Sequence, residues 1–327
     1  MRVFRRSFLV RSLSAILALG ACLSAGTASA RSPTTRILVG FPAGGGSDAI
    51  ARILAEPLQV ELGSSVVVEN KAGAGGQIAA QALKAAAPDG HTLFLSHDHS
   101  VSILPLTMKN PGFDPGKDFV PVAGFATFVN AVALSGGTPA KDFKAWVDSV
   151  KADGGRSAVG IPAPASTPQF AVQVIGKQFG LDLVAAPYRG SAPMMVDMMS
   201  NAIPAGVGSV PDFIANHKAG KLRVVAVMGA QRQAALPDVP TFAEVGINGF
   251  EEVPYYGLFA PVGTSREALA RLEAAVQKVV AMPSVRDRLT AMGLTVGYMS
   301  GAELGKREAA YREVWAKIIK DSGYQPQ

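Results

Sequence analysis

Arg36-Ile-Leu-Val-Gly-Phe-Pro-Ala-Gly-Gly-Gly-Ser-Asp-Ala-Ile-Ala-Arg-Ile-Leu54 is the stretch of sequence that decides the fold. The apolar residues 37–39 predict a buried strand, and Pro42 ends strand pairing because proline has no backbone N–H group. Three glycines follow, and apolar residues at helical spacing then predict a helix that opens at Ser47 and is capped by Ser47 or Asp48. Because the first N–H groups of a helix lack partners and lie at its positive end, this turn predicts an anion-binding site.

The first thirty residues predict an export signal. Basic residues precede an apolar run at 13–19, and Ala28-Ser29-Ala30 matches a signal-peptide cleavage site. The pair Arg5-Arg6 is also similar to a twin-arginine signal, and the segment ending at Cys22 is similar to a lipobox. We therefore expect a periplasmic protein that is cleaved near Ala30. Lipid anchoring at Cys22 is the alternative. The sequence does not distinguish Sec export from twin-arginine export.

The charge of the chain does not indicate a nucleic-acid partner. The net charge is +6, but residues 1–30 hold four arginines and no acidic residue. Removing them leaves 27 basic against 25 acidic residues, a net charge of +2. The basic character therefore belongs mainly to the export signal. The same cleavage removes Cys22, the one cysteine of the sequence, so no disulfide is expected.

After the opening unit, predicted strands and helices alternate, which is typical of an α/β fold with parallel strands and crossover helices. The alternation restarts after residue 134, and the chain crosses back near residues 250–260. We expect two α/β domains joined by two crossing strands, with the ligand cleft between them. The first domain would comprise residues 31–127 and 253–327, and the second domain residues 128–252.

Four local patterns carry further expectations. Pro57 should kink or shorten the first helix because it removes a backbone hydrogen bond. Residues 105–117 are rich in Pro, Gly and Asn and predict a long connection. The sequence Thr264-Ser-Arg-Glu267 matches a capping box. A cluster of methionines at positions 194, 195, 198 and 199 is interpreted as packing residues rather than a cofactor feature.

A dinucleotide site is the main alternative function. Gly44-x-Gly46-x-x-Ala49 fits the loose dinucleotide fingerprint between a strand and a helix, and Glu69 follows twenty residues after Ala49. The chain would then be an exported nucleotide-binding oxidoreductase. Against this, Asp48 would place a negative charge beside the pyrophosphate. An exported enzyme would also find little soluble nicotinamide cofactor.

A hydrolase or metal site is poorly supported by the sequence. The turn at Gly45-Gly46-Ser47-Asp48 lacks the second glycine that a nucleophile elbow requires. His97 and His99 flank Asp98, but four histidines are a poor metal inventory. We expect no enzyme activity, no cofactor and no metal.

Several motifs, in order along the chain, resemble one family, the tripartite tricarboxylate transporter substrate-binding proteins, also called Bug-type receptors. They are Phe41-Pro-Ala-Gly-Gly-Gly-Ser-Asp48, Val68-Glu-Asn-Lys-Ala-Gly-Ala-Gly-Gly76, Ala87-Pro-Asp-Gly-His-Thr-Leu93, Phe113-Asp-Pro-Gly-Lys-Asp-Phe119, Pro187-Tyr-Arg-Gly190, Lys218-Ala-Gly-Lys-Leu-Arg223 and Leu236-Pro-Asp-Val-Pro-Thr241. The resemblance implies a two-lobed, periplasmic-binding-protein-like fold. It also implies a monomeric receptor that closes on a small organic carboxylate and delivers it to membrane permease subunits.

The resemblance also implies which residues bind the ligand. Backbone amides and ordered water of the first turn would hold one carboxylate, and turns of the opposite lobe would complete the site. The residues expected at the site are Phe41, Ala43, Gly44, Gly45, Gly46, Ser47, Asp48, Ser96, His97, Ser166, Thr167, Tyr188, Gly190 and Ser209. Ser166 and Thr167 have an alternative role as helix caps, and Tyr188 as a core aromatic residue.

The chain departs from this family at two positions of the expected pocket. His97-Asp98-His99 stands where many relatives have small polar residues, and Gly208-Ser209 stands where relatives often have an acid–amide pair. The identity of the ligand therefore does not transfer. Di- and tricarboxylates, acidic amino acids, nicotinate-like acids and aromatic acids all remain open.

Overall fold

A computed structural model describes residues 33–326, so the predicted export signal lies outside the described residues. The strands are β1 (Thr35–Val39), β2 (Val66–Asn70), β3 (Thr92–His97), β4 (Phe119–Thr127), β5 (Asn130–Ser135), β6 (Arg156–Ile161), β7 (Asp182–Pro187), β8 (Ala205–Ser209), β9 (Leu222–Val227), β10 (Tyr255–Pro261) and β11 (Thr295–Ser300).

Helices cover both sheets that these strands form. They are α1 (Gly46–Leu62), α2 (Gln77–Lys84), α3 (Leu104–Thr107), α4 (Pro115–Asp118), α5 (Phe143–Ala152), α6 (Thr167–Phe179), α7 (Ser191–Met199), α8 (Val210–Lys218), α9 (Arg266–Ala281), α10 (Pro283–Ala291) and α11 (Gly301–Asp321), with a π-helix at His99–Ile103 and 3₁₀ turns at Ala74–Gly76 and Ala243–Val245. Among residues 33–326, no helix is long and apolar enough to span a membrane.

The first lobe is built on a six-stranded sheet in the order β11-β4-β10-β3-β1-β2. The strands β1, β2 and β3 are parallel, as the alternation of strands and helices predicts, whereas β10 returns antiparallel between β3 and β4. The register of β10 against β3 pairs Tyr256 with His97. A residue from late in the chain is thereby placed beside the end of an early strand.

The second lobe is built on a five-stranded sheet in the order β7-β6-β8-β5-β9. The strands β6, β7 and β8 are parallel, and β5 is antiparallel to β8 and β9. Met194, Met195 and Met198 are buried in this lobe, which agrees with their interpretation as packing residues, whereas Met199 is 40 % exposed. The structure therefore has two α/β lobes, each with its own sheet, as predicted.

The chain passes between the lobes twice. One passage lies between β4 and β5 at Phe128 and Val129, and the other lies between β9 and β10. The two passages are joined, because the N–H group of Phe128 donates to the carbonyl oxygen of Pro254 (3.1 Å). A pair of connected crossings is a natural position for a hinge between two domains.

The first helix differs from the sequence prediction in three ways. It begins at Gly46 rather than Ser47, and Gly45 occupies the N-cap position without any side-chain cap. Neither Ser47 nor Asp48 is the cap. Pro57 neither ends nor shortens the helix, which continues to Leu62. The burial of apolar residues on both sides of Pro57, among them Leu54 and Leu58, offsets the hydrogen bond that the proline removes.

Two other local predictions are corrected. Residues 105–117 are not a plain connection, because α3 and α4 interrupt it. The capping box predicted at residues 264–267 is wrong: the N-cap of α9 is Ser265, which accepts only from the N–H group of Ala268. The reciprocal pattern occurs instead at Ser300 and Glu303, which cap α11.

The Ser300 cap should contribute measurably to stability. We expect Ser300→Ala to lower the free energy of unfolding by about 1 kcal/mol, because it removes the acceptor of the Glu303 N–H group. Urea denaturation followed by circular dichroism measures this loss. The control is Ser157→Ala, whose hydroxyl makes only a 3.5 Å contact with the carbonyl oxygen of Ala158. Equal losses in both variants would contradict the assigned role.

Candidate functional site

A cavity of about 50 Å³ lies between the two lobes. Both lobes and the crossings contribute to its walls. The lining residues are Phe41, Gly45, Ser47, His97, Asp98, His99, Phe128, Asn130, Pro162, Ala163, Ser166, Thr167, Pro168, Ser191, Ser209, Asp212 and Tyr256. They include strand ends, helix starts and the hinge residue Phe128, which is the placement expected of a ligand site at a domain interface.

One wall of the cavity is aromatic. The ring of His97 stacks on Phe41 with centroids 5.1 Å apart, and it meets the edges of Phe128 (5.8 Å) and Tyr256 (5.5 Å). Phe128 and Tyr256 also contact each other at 4.8 Å. This group of four rings can pack against an apolar or planar ligand body.

His97 is held in place by a buried carboxylate. Its Nδ1 atom lies 3.2 Å from Oδ1 of Asp98, whose side chain is only 3 % exposed. The hydroxyl of Tyr311, from α11, donates to the other oxygen of Asp98 at 3.0 Å. Burial raises the pKa of Tyr311 far above its usual value, so this hydroxyl stays a donor. The orientation of the His97 ring is therefore fixed by Asp98 and Tyr311.

The floor of the cavity contains a hydrogen bond between Ser47 and Tyr256. Their hydroxyl oxygens lie 3.2 Å apart, and both side chains are buried. Burial raises the pKa of the Tyr256 hydroxyl, which therefore remains protonated. This pair connects the first turn of α1 to the strand β10, and the site thus depends on sheet pairing as well as on the glycine turn.

The N–H groups of the three glycines all have protein acceptors in this structure. Gly44 donates to Oδ2 of Asp48 (3.0 Å), and Gly45 makes a long bond with the carbonyl oxygen of Pro42 (3.4 Å). Gly46 donates to Oδ1 of Asp212 from the second lobe (2.8 Å). The turn does receive an anion at the positive end of α1, but that anion is a side chain of the protein itself.

Asp212 is held by three donors. Besides Gly46, the hydroxyl of Ser191 donates to its Oδ1 atom and the hydroxyl of Ser209 donates to its Oδ2 atom, both at 2.6 Å. We call these four residues the Asp212 bridge. Within residues 33–326, the Gly46–Asp212 bond is the one hydrogen bond that joins the lobes away from the two crossings. The closed arrangement of the lobes therefore depends on a charge-assisted contact at this point.

Asp48 is occupied within the first lobe. Its carboxylate accepts from Arg52 (3.1 Å), Asn70 (3.0 Å) and the N–H group of Gly44. Burial raises the pKa of Asp48, but the bonds from Arg52, Gly44 and Asn70 outweigh it and hold the pKa below its usual value. Asp48 thus shapes the glycine turn and does not line the cavity.

The second lobe presents the start of α6 to the cavity. Ser166 occupies the N-cap position, but its hydroxyl donates to the carbonyl oxygen of Ala163 (2.7 Å) instead of capping the helix. Thr167 is only 4 % exposed, and its Oγ1 atom makes no hydrogen bond of ordinary geometry in the described chain, although the Tyr311 hydroxyl lies near it. A buried hydroxyl without a partner, at the positive end of a helix, is suited to receive an anionic group.

His99 lines the cavity as an uncharged side chain. It is buried, and both of its ring nitrogens lack partners in the described part of the chain. Burial, followed by the nearby His97, lowers the pKa of His99 to about 4, so the ring is neutral near pH 7. Among residues 33–326, no group of three or more His, Cys, Asp or Glu side chains is arranged to hold a metal ion.

The structure brings half of the expected site residues to the cavity. Those that line it are Phe41, Gly45, Ser47, His97, Ser166, Thr167 and Ser209, and those that do not are Ala43, Gly44, Gly46, Asp48, Ser96, Tyr188 and Gly190. Ala43 and Gly44 are exposed, and the hydroxyl of Ser96 donates to the carbonyl oxygen of His97. Gly46 contributes through its bond to Asp212 rather than through the cavity wall.

Tyr188 and Gly190 lie at a different depression, which they share with Phe41 and Pro162. The hydroxyl of Tyr188 donates to Asp197 (2.7 Å). Burial, followed by this bond, raises the pKa of Tyr188 to about 12. Gly190 packs closely against Pro42, because a Cβ atom there would lie 2.6 Å from Cδ of Pro42. Its role is to let the two lobes approach each other.

Four residues that the sequence did not single out complete the site: Phe128, Asn130, Asp212 and Tyr256. Asp212 lies in the first turn of α8, next to Pro211, and this position is itself a recognisable helix start. Its partner Gly46 lies 166 residues earlier, a separation that no local pattern reveals. Tyr256 and Phe128 reach the cavity only through the antiparallel return of β10 and the first crossing.

Comparison with known proteins identifies the family. A family model described as the tripartite tricarboxylate transporter family receptor matches residues 50–324. The chain belongs to this family, whose members are periplasmic solute-binding receptors. Protein BugT of Bordetella pertussis is 28% identical over 289 residues, which cover 88% of this chain and 89% of BugT.

Solved structures show the same architecture. The periplasmic binding protein BugD is 29% identical with a TM-score of 0.85, covering 90% of this chain and 99% of BugD. MatC from Rhodopseudomonas palustris with bound malate is 26% identical (TM-score 0.80; 88% and 98% covered). Rpa4515 of R. palustris with adipate is 27% identical (TM-score 0.85; 90% and 98% covered). The two-lobed fold is thus that of known solute-binding proteins.

The ionised form of Asp48 should stabilise the first lobe. Because its folded pKa lies below the unfolded value of about 3.9, its stabilisation is complete above that pH and is lost as the pH falls through the folded pKa. Asp48→Asn should therefore reduce the free energy of unfolding at about pH 6, and the difference from wild type should narrow at about pH 3.

Urea titrations at both pH values measure this difference. Asp153→Asn is the matched control, because Asp153 is an exposed aspartate whose side chain forms no hydrogen bond in the described structure. A deficit of Asp48→Asn that stays constant between the two pH values would contradict the assignment.

Proposed function

We propose that the protein is a receptor that captures a small organic carboxylate in the cavity between its lobes and delivers it to a tripartite tricarboxylate-type membrane transporter. The observation that carries this proposal is the buried, unpartnered hydroxyl of Thr167 at the first turn of α6, aimed into a cavity between two closing lobes. Membership in the receptor family and the dicarboxylates bound by MatC and Rpa4515 support it.

The carboxylate would bind at the start of α6. The free N–H groups of the first helical turn and the Thr167 hydroxyl can donate to it without a cationic side chain. Asn130 lines the same cavity, and its register with Ser209 in the second sheet places two further polar side chains together. The body of the ligand would then pack against the rings of Phe41, His97, Phe128 and Tyr256.

Closure of the lobes would complete the site. Gly45 and Ser47 come from the first lobe, whereas Thr167 and Ser209 come from the second, so an open molecule would present only half of the contacts. In the closed arrangement the ligand would be enclosed between the domains, which raises affinity by excluding water. The proposed division is residues 31–127 and 253–327 for the first lobe and 128–252 for the second, and sheet membership supports it.

The alternative of a dinucleotide-binding oxidoreductase is less compatible with the geometry. A pyrophosphate would need the N-terminus of α1, but Asp212 occupies the Gly46 N–H group there. Glu69, the residue expected to bind a ribose, pairs with Lys71 (2.7 Å) and Arg36 (3.6 Å). We accordingly propose a monomeric, periplasmic receptor without catalytic activity, cleaved near Ala30.

A thermal-shift screen of the mature protein tests this function. We expect at least one small carboxylic acid to raise the melting temperature, because a ligand that binds only the folded state stabilises it, and we expect no shift with NAD or NADP. A shift with either dinucleotide and none with any carboxylate would overturn the proposal.

Gly45→Val should abolish binding of the best carboxylate from that screen. A Cβ atom at Gly45 would lie 3.1 Å from Oγ of Ser191, so a valine side chain would hold the lobes apart. The backbone of Gly45 has φ −83° and ψ 169°, which valine adopts readily, so the fold should persist.

Gly297→Val is the matched control, because no atom lies within 4 Å of a Cβ built at that position in the same lobe. Isothermal titration calorimetry of both variants measures the effect. Tight binding by Gly45→Val would show that the lobes need not close at this point.

A further inference from the structure

The charges around the cavity bear on the class of anion that it can take. No lysine or arginine is among the described residues that line it, whereas two aspartates, Asp98 and Asp212, are. Asp98 is occupied by His97 and Tyr311. An anionic ligand in this cavity would therefore meet uncharged donors and the carboxylate of Asp212, with no cationic side chain among the described lining residues.

The Asp212 bridge blocks the first lobe's own anion-binding position. The Gly46 N–H group is the donor that α1 directs toward the second lobe, and Asp212 accepts from it while two serine hydroxyls orient its carboxylate. Gly45, Ser191 and Asp212 line both the cavity and a neighbouring groove, so the bridge forms the wall between them. A ligand inside the closed cavity therefore faces a wall that already carries the negative charge of the Asp212 carboxylate.

We infer that Asp212 is a specificity-determining residue that makes the receptor selective for monocarboxylates with an apolar body over dicarboxylates. This inference rests on the proposed function. A single carboxylate binds at the start of α6, the apolar body packs on the four aromatic rings, and the carboxylate of Asp212 takes the position that a second ligand carboxylate would occupy.

A dicarboxylate would have to overcome one of two obstacles. Its second carboxylate would either lie beside the charge of Asp212, with no cationic side chain on the cavity wall to separate them, or displace Asp212 from its three donors. Displacement would also break the hydrogen bond that joins the lobes. Either route weakens binding of the closed state relative to a monocarboxylate with the same body.

Calorimetric titration with matched acids tests this selectivity. The pairs are butyrate and succinate, hexanoate and adipate, and benzoate and terephthalate, whose members differ only in the second carboxylate. For any pair that binds, we expect the wild type to bind the monocarboxylate at least about tenfold more tightly, the effect of one charge-assisted contact. In Asp212→Ser this preference should shrink by about tenfold or reverse, because the Gly46 N–H group becomes free.

Two further variants make the result specific. Asp148→Ser removes the same charge from an exposed position of the same lobe and should leave the preference unchanged. Asp212→Asn keeps the size of the side chain and should shift the preference in the same direction as Asp212→Ser. It also provides a folded comparison if the serine variant is unstable.

The outcomes separate the inference from the proposed function. The inference would be overturned if the wild type bound the dicarboxylate of a pair as tightly as the monocarboxylate. It would also be overturned if the ratio of the two affinities were the same in the wild type and both Asp212 variants. In either case the proposed function of a carboxylate receptor would stand. Absence of binding by every acid would overturn the proposed function and the inference with it. A preference that changes only in the Asp212 variants would support both.

Discussion

The closed structure depends on one electrostatic contact, the carboxylate of Asp212 at the N-terminus of α1. The positive end of a helix attracts a negative charge, and a charge-assisted hydrogen bond adds direction to that attraction. Here the helix belongs to one lobe and the carboxylate to the other, so the contact can form only when the lobes close. The enclosure of the cavity between the lobes follows from that closure.

The surrounding packing is arranged to permit this approach. Gly46 leaves no room for a side chain, because a Cβ atom there would lie 2.9 Å from Oδ1 of Asp212. Gly190 does the same opposite Pro42, and Val210 would be within 2.5 Å of a Cβ atom at Gly293. Glycines of both lobes thus stand where the two surfaces meet. Their small size, together with the packing of Phe170 against Trp315 and Tyr324, allows the lobes to come together around a small ligand.

Much of the fold and half of the site could be predicted from the sequence. The glycine turn, the strand end at His97 and the helix start at Thr167 are local features, and local periodicity and turn chemistry predict them well. Asp212 and Tyr256 could not be predicted in this way, since each acquires its role from a partner far away in the chain. Tyr256 needs the antiparallel insertion of β10 beside β3, and Asp212 needs closure of the hinge. The turn was predicted to bind an anion, but the sequence did not reveal that the protein supplies the anion.

The chain shares its architecture with its family, but individual side chains at the lobe interface distinguish its binding site. The fold is shared with BugD, MatC and Rpa4515, whereas the Asp212 bridge is formed by individual residues where the two lobes meet. A protein carboxylate at the position where a ligand carboxylate would otherwise bind would change the class of ligand without changing the architecture. Fold similarity therefore supports the receptor function, and the side chains at the lobe interface decide what is bound.

A crystal structure of the wild-type protein with a bound carboxylate ligand tests this account most directly. The account predicts that the ligand carboxylate lies at the start of α6 near Thr167, while Asp212 keeps its hydrogen bond to the Gly46 N–H group. A ligand carboxylate bound to Gly46, with Asp212 turned away from the helix, would contradict it.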